Sequence, residues 1–131
     1  MHALVKEVEV HTMPFTSEEE GEPWDLFSGP DLYYEAYGPD GALLHASEVI
    51  SDVRPSDLPI ALGGKFAVEQ MGPHVLRLLD ADLAGKEVVG RVAFDAERLA
   101  EKGAGDPPRI VRLKDRKTTL RVVIAWEEGQ S

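Results

Sequence analysis

The sequence predicts an all-β protein, an eight-stranded antiparallel β-sandwich with a single short surface helix near residues 95–102. Eight short runs are rich in apolar residues, and several alternate apolar with charged positions, which is the signature of a half-buried strand. Turn-forming residues separate these runs, among them many of the twelve glycines and nine prolines. The length of 131 residues fits a single domain, which we assign to residues 1–131.

The first half of the chain predicts a strand, an acidic loop and a hairpin. The acidic loop occupies residues 17–23, and a Gly-Pro-Asp-Gly turn at residues 38–41 joins the second strand to the third. A polar connection that contains prolines, residues 51–59, leads through a pair of glycines into the fourth strand. The predicted strands of this half span residues 4–11, 32–37, 43–49 and 65–69.

The second half predicts four more strands and the helix. A Gly-Pro turn at residues 72–73 precedes a strand that ends in acidic residues. Asp95 is followed by helix-forming residues up to Gly103, which predicts a short helix with Asp95 as its N-cap. The predicted strands of this half span residues 74–81, 88–95, 109–113 and 119–126.

The composition disfavours several classes of function. A formal net charge of −10 disfavours binding to nucleic acid, because the phosphate backbone rewards a basic face. The same charge disfavours unaided adsorption to anionic membranes. The absence of cysteine excludes disulfides, thiolate catalysis and zinc bound by cysteine. No apolar run is long enough to span a membrane, and the first residues lack signal-peptide architecture, so we expect a soluble, cytoplasmic chain.

Five acidic residues occur in two separated groups. Asp25 and Asp31 precede the second predicted strand. Asp80, Asp82 and Glu87 lie around the turn between the fifth and sixth, so each group is expected at the mouth of a loop. Like charges gathered in this way repel unless a cation neutralises them, and this number of hard oxygen ligands suits calcium. The alternative is that these residues cap turns and face water.

The order of these features resembles that of the C2 domain, the calcium-dependent phospholipid-binding β-sandwich of signalling and trafficking proteins. Residues 31–33 (Asp-Leu-Tyr) stand where the family has Asp-Pro-Tyr before its second strand. Residues 80–82 (Asp-Ala-Asp), with 87–90 (Glu-Val-Val-Gly) after them, resemble the family's Asp-x-Asp and its following acid, and residues 120–126 resemble its last strand. The resemblance covers residues 4–126. It implies a divergent C2-like Greek-key sandwich that binds calcium through the five acidic residues and docks, without catalysis, on an anionic phospholipid membrane or a protein partner.

Apolar residues flank both acidic groups. Trp24, Leu26 and Phe27 surround the first group, and Leu83 follows the second. Such residues can enter a bilayer once bound cations cancel the acidic repulsion, which would place the chain peripherally at a membrane. The alternative is that Trp24 and Phe27 fold back as a small loop core, which is the commoner fate of large aromatic residues.

Two other functions remain as alternatives. The first is a C2-like protein–protein interaction domain that needs no cation, in which the acidic residues serve solubility. The second is a metal-assisted hydrolase, which needs an open coordination site and a general base. The sequence offers no residue for that base, because the four histidines share no metal-ligand spacing and neither Ser28 nor Ser47 has an identifiable histidine partner.

Overall fold

The computed structural model describes residues 2–13, 30–82, 85–102 and 108–127, which form two antiparallel sheets and one α-helix. The all-β sandwich predicted from the sequence is confirmed. The described strands are β1 (His2–Thr12), β2 (Leu32–Tyr37), β3 (Leu43–Ala46), β4 (Ile60–Leu62), β5 (Phe66–Val68), β6 (Pro73–Asp82), β7 (Gly85–Asp95), β8 (Ile110–Asp115) and β9 (Thr118–Glu127), and the helix is α1 (Ala96–Lys102). No helix among the described residues is long and apolar enough to cross a membrane.

The strand order places β7 and β8 at the ends of the two sheets. In the first sheet the order is β4-β1-β9-β8, and β5 pairs with the same side of β1 as β4 does. In the second sheet the order is β3-β2-β6-β7. Among the described residues, β8 therefore pairs only with β9, and β7 pairs only with β6. The candidate sites lie on these two end strands and on strands β2 and β6, which pair next to β7.

The facing sides of the two sheets form one hydrophobic core, to which alternate residues of the long strands contribute. In β1 a register shift between Val5 and Glu7 allows Val8 to face the core as Val5 does, although the two are an odd number of residues apart. Full burial of one such aliphatic side chain stabilises the fold by about 1.5–3 kcal/mol. The fully buried aliphatic residues include Val5, Val8, Val10, Leu32, Val53, Leu62, Leu76 and Leu78.

One aromatic cluster in the core contains a polar group with an unusual environment. The Tyr34 ring lies 5.7 Å from the His45 ring and 6.3 Å from the Phe66 ring, measured between centroids. Tyr34 is fully buried, and its hydroxyl has no hydrogen-bond partner among the described residues. Burial raises the pKa of Tyr34 to about 12, because the phenolate is disfavoured away from water.

Two local predictions are confirmed in detail. Strand β2 occupies residues 32–37, as its flanking turn residues indicate. Helix α1 begins directly after Asp95, and the Asp95 carboxylate accepts a hydrogen bond from the backbone N–H of Glu97 at 3.1 Å. Asp95 is thus the N-cap that the sequence predicts, since a side-chain oxygen satisfies an amide that the helix itself leaves unpaired.

Two other local predictions are wrong. The connection between β3 and β5 was expected to be irregular, but it contains the short strand β4 and a 3-10 turn at Pro55–Asp57. Strand β4 forms because Leu62 fills the core while its backbone pairs with β1. Asp82 and Glu87 were expected on a loop between strands 74–81 and 88–95, but β6 continues to Asp82 and β7 begins at Gly85, so the hairpin ladder includes both residues.

Candidate functional site

The structure brings one residue of the first acidic group next to one residue of the second. Asp31 directly precedes β2, and Asp80 lies near the end of β6, the strand that pairs with β2. The backbone N–H of Asp31 donates to Oδ1 of Asp80 at 2.9 Å. The carbonyl of Asp31 accepts a hydrogen bond from the N–H of Ala81 at 2.8 Å. These contacts hold the two acidic residues together at one end of the second sheet.

The β6–β7 hairpin adds Glu87 to the same end of the sheet. Glu87 lies directly opposite Asp80 in the antiparallel ladder, so both residues lie on one face. Asp80 is 7% exposed, whereas Glu87 is exposed to solvent. Asp82 is opposite Gly85, at the end of the ladder. A carboxylate that is nearly buried therefore has a second, solvent-accessible carboxylate on the neighbouring strand.

Asp52, a further acidic residue whose backbone contacts Asp31, was missed by the sequence reasoning. The backbone N–H of Asp52 donates to Oδ1 of Asp31 at 3.0 Å. Asp52 has a φ of 54°, in the left-handed region that Asp tolerates better than most residues. The only signal in the sequence is the run of turn-forming residues 51–57, which does not show that this turn returns to Asp31. We refer to Asp31, Asp52, Asp80 and Glu87 together as the acidic rim.

Arg54 brings a positive charge close to the acidic rim. Arg54 approaches Asp52, with Nη2 at 3.2 Å from Oδ2, and both side chains are about half exposed. A solvent-exposed ion pair of this kind contributes roughly 0–1 kcal/mol to stability.

Several residues of the predicted site lie outside the described part of the chain. These are Trp24, Asp25, Leu26, Phe27 and Leu83, and for Asp82 only the backbone is described. Within residues 2–13, 30–82, 85–102 and 108–127, no three histidine, aspartate or glutamate side chains are close enough to hold a metal ion. The described residues therefore do not supply a complete set of metal ligands by themselves.

Comparison with known proteins places this geometry in a familiar architecture. No family model matches the sequence, and no curated protein matches it. Among solved structures, one described as the structure of a C2 domain superposes with a TM-score of 0.59 at 14% identity, covering 95% of this chain and 96% of that one. The chain has the fold of a C2 domain. The strand topology and the superposition over nearly the whole of both chains support this assignment. At 14% sequence identity the similarity concerns the fold and nothing beyond it.

Human GIVD cytosolic phospholipase A2 contains a region of the same fold. Its complex with a methyl gamma-linolenyl fluorophosphonate inhibitor and terbium chloride superposes with a TM-score of 0.61 at 14% identity. The superposition covers 94% of this chain and 17% of the phospholipase chain. Another structure of that enzyme gives a TM-score of 0.60. The match therefore concerns one region of a much longer protein.

Proposed function

We propose that this chain is a binding module that captures calcium at the acidic rim and then docks on an anionic phospholipid membrane or a protein partner. The observation that carries the proposal is the meeting of Asp31 and Asp80, which are 49 residues apart in the sequence. The proposal assigns the chain no catalytic role. The C2 fold supports a module of this kind, and carboxylates of the acidic rim would supply ligands for the cation.

The chemistry of the rim fits a hard cation. Calcium takes six to eight oxygen ligands at about 2.3–2.6 Å, from carboxylates, backbone carbonyls and water. An ionised carboxylate has about four lone-pair sites, so the backbone N–H of Asp52 that is bound to Asp31 leaves that carboxylate capacity for a metal. Asp31, Asp80 and Glu87 would each contribute to the site, although these three side chains alone are not close enough together to hold the ion. We propose that Asp25 and Asp82 complete it.

Calcium would reverse the sign of a surface that otherwise repels anionic lipids. The chain carries a net charge of −10, and the rim adds local negative potential. Bound calcium would neutralise this potential and allow the apolar residues Trp24, Leu26, Phe27 and Leu83 to contact the membrane or the partner. The solved complex of the human phospholipase contains terbium chloride, and terbium is likewise a hard cation that prefers oxygen ligands.

A calcium titration with matched variants tests the proposal. Asp31→Asn and Asp80→Asn keep an oxygen that accepts the backbone N–H but remove the charge. Asp40→Asn is the control, because Asp40 also accepts a backbone N–H, from Ala42 at 3.1 Å, and lies in the turn at the opposite end of β2. Each protein is studied by calorimetry and thermal denaturation, and by co-sedimentation with phosphatidylserine vesicles.

We expect calcium to bind wild type and Asp40→Asn with micromolar to millimolar affinity and to raise their melting temperatures. At one hundred times the dissociation constant the stabilisation amounts to about 2.7 kcal/mol. Asp31→Asn and Asp80→Asn should lose most of this effect and their vesicle binding. If wild type shows no heat of binding and no thermal shift in millimolar calcium, the proposal is wrong.

A second function, a cation-independent interaction domain, is favoured by one specific observation. The carboxylates of Asp31 and Asp80 each accept a backbone N–H, so both have a structural role without a metal. If this role is their only one, partner binding will be insensitive to chelator and to both asparagine variants. Affinity capture of partners in calcium and in chelator separates the two functions.

A further inference from the structure

The two end strands β7 and β8 border a cleft on the side of the sandwich. The cleft has a volume of about 730 Å³ and opens between these strands and α1. This size is within the range of about 300–1,000 Å³ typical of ligand sites. Its apolar lining includes Phe94 on β7, Leu99 on α1, and Val111 and Leu113 on β8. The cleft is separate from the acidic rim, with which it shares no residue.

Positive charge is concentrated around this apolar lining. Arg98 and Lys102 are four residues apart on α1 and so lie on one side of the helix, and Arg112 comes from β8. The one carboxylate in the lining, Asp95, is engaged as the cap of α1, with its Oδ1 accepting the N–H of Glu97. None of the three cationic side chains forms an ion pair with another described residue. In a chain of net charge −10 this is a marked local excess of positive charge.

Arg112 also faces a like charge on the neighbouring strand. It lies directly opposite Arg121 of β9, and like charges in this arrangement are destabilising. Arg121 has a carboxylate nearby on its other side, with Nη1 at 3.7 Å from Oε1 of Glu9. Arg112 has no such partner among the described residues. An external carboxylate at the β8 edge would therefore relieve a repulsion that the described contacts leave in place.

The free edge of β8 supplies backbone groups for an incoming strand. The N–H of Ile124 in β9 donates to the carbonyl of Arg109 at 2.7 Å. The backbone of Arg109, and of every second residue after it in β8, therefore bonds to β9. Because bonding alternates along an antiparallel strand, the N–H and C=O groups of Ile110, Arg112 and Lys114 point to the outer edge. Unpaired groups of this kind are the usual template for strand addition.

We propose that the cleft and the β8 edge together bind an extended acidic segment of a partner protein, which adds as a strand beside β8. Alternate side chains of such a segment would point to the two faces of the sheet. On the cleft side, apolar side chains of the segment would contact Val111 and Leu113, and Arg98 and Lys102 would attract its negative charge. On the other side of the sheet, its carboxylates would meet Arg112, because Arg112 alternates with Val111 and Leu113 along β8. A phosphate headgroup would use the cations but would leave the apolar lining and the strand edge unused.

A synthetic peptide in which glutamate alternates with valine tests this inference, with chelator present so that the result is independent of calcium. Two peptides serve as controls. One replaces glutamate by lysine, and the other has N-methyl groups on the backbone edge that would pair with β8. The protein variants are the double reversal Arg98→Glu/Arg112→Glu and, as a matched control, Lys6→Glu/Lys65→Glu, whose exposed lysines are not on β7, β8 or α1.

We expect the acidic peptide to bind wild type and the lysine control variant equally, and the double reversal to weaken binding about tenfold or more. Both control peptides should fail to bind. In NMR spectra, the amides of Ile110, Arg112 and Lys114 should shift on binding. The inference is overturned if the acidic peptide does not bind at millimolar concentration, if the N-methylated peptide binds equally well, or if the double reversal affects only the binding of anionic vesicles.

Discussion

Replacing Tyr34 with phenylalanine is expected to stabilise the fold. The Tyr34 hydroxyl is fully buried and has no hydrogen-bond partner among the described residues. Leaving such a group unpaired costs about 1–3 kcal/mol, and the phenylalanine ring would keep the contacts with His45 and Phe66. We expect the free energy of unfolding to rise by about 1 kcal/mol. For a domain of this size that corresponds to roughly 3–5 °C in the melting temperature.

The same substitution has a predicted pH dependence. Burial raises the pKa of Tyr34 from 10.0 to about 12 in the folded state, so the unfolded state releases this proton first as the pH rises. The stabilisation from the protonated phenol is complete below pH 10 and is lost as the pH approaches 12. A difference of this size between the two pKa values corresponds to a few kcal/mol at most, about 1.4 kcal/mol for each unit. Tyr34→Phe lacks this loss, so its advantage over wild type should grow across that window.

Urea denaturation followed by circular dichroism measures both effects, and Tyr37→Phe provides the control on the same strand. The hydroxyl of Tyr37 donates to Oε1 of Glu35 at 2.7 Å, so its removal should cost about 1 kcal/mol. The two tyrosine variants are thus expected to change stability in opposite directions. A loss of stability in Tyr34→Phe equal to that in Tyr37→Phe, or parallel pH profiles for wild type and Tyr34→Phe, would refute the reasoning.

Two further predictions concern packing and a single hydrogen bond. A Cβ added at Gly90 would collide with the side chain of Thr118, so Gly90→Ala should lose about 1–3 kcal/mol in urea denaturation. Gly63→Ala, where no atom lies within 4 Å of the added carbon, should change stability by less than about 0.5 kcal/mol, and equal losses would contradict the collision. Trp126→Phe removes the bond from the indole N–H to the carbonyl of Pro108 at 2.7 Å and should cost about 1 kcal/mol by the same assay; unchanged stability would mean that this bond makes no net contribution.

The strand positions were predictable where turn chemistry and alternation agree. Strand β2 lies before a Gly-Pro-Asp-Gly turn, and its residues 32–37 were predicted without error. Strand β4 was missed because three residues, Ile60–Leu62, are too short to show a period, and a proline directly precedes them. The pairing of β4 with β1 depends on contacts about fifty residues apart in the sequence, which no local pattern reveals.

For the acidic rim, too, the sequence indicated the residue types but not the contacts that depend on tertiary structure. The types and spacing of Asp31 and Asp80 indicated a shared site, but only the pairing of β2 with β6 shows that they are neighbours. The burial of Asp80 and the return of Asp52 to Asp31 depend on tertiary structure. Sequence reasoning also placed Glu87 on a loop, because it could not show that the hairpin ladder continues past Val88.

The division of one sheet edge between β4 and β5 has a consequence for self-association. These strands have three residues each and cover different halves of β1, so within the described part of the chain this edge has no long continuous row of free backbone groups. A sheet with two long accessible edges can add copies at both and grow into a filament. Within the first sheet, the edge at β8 therefore has no equally long counterpart at the opposite edge, which disfavours growth of that sheet from both sides.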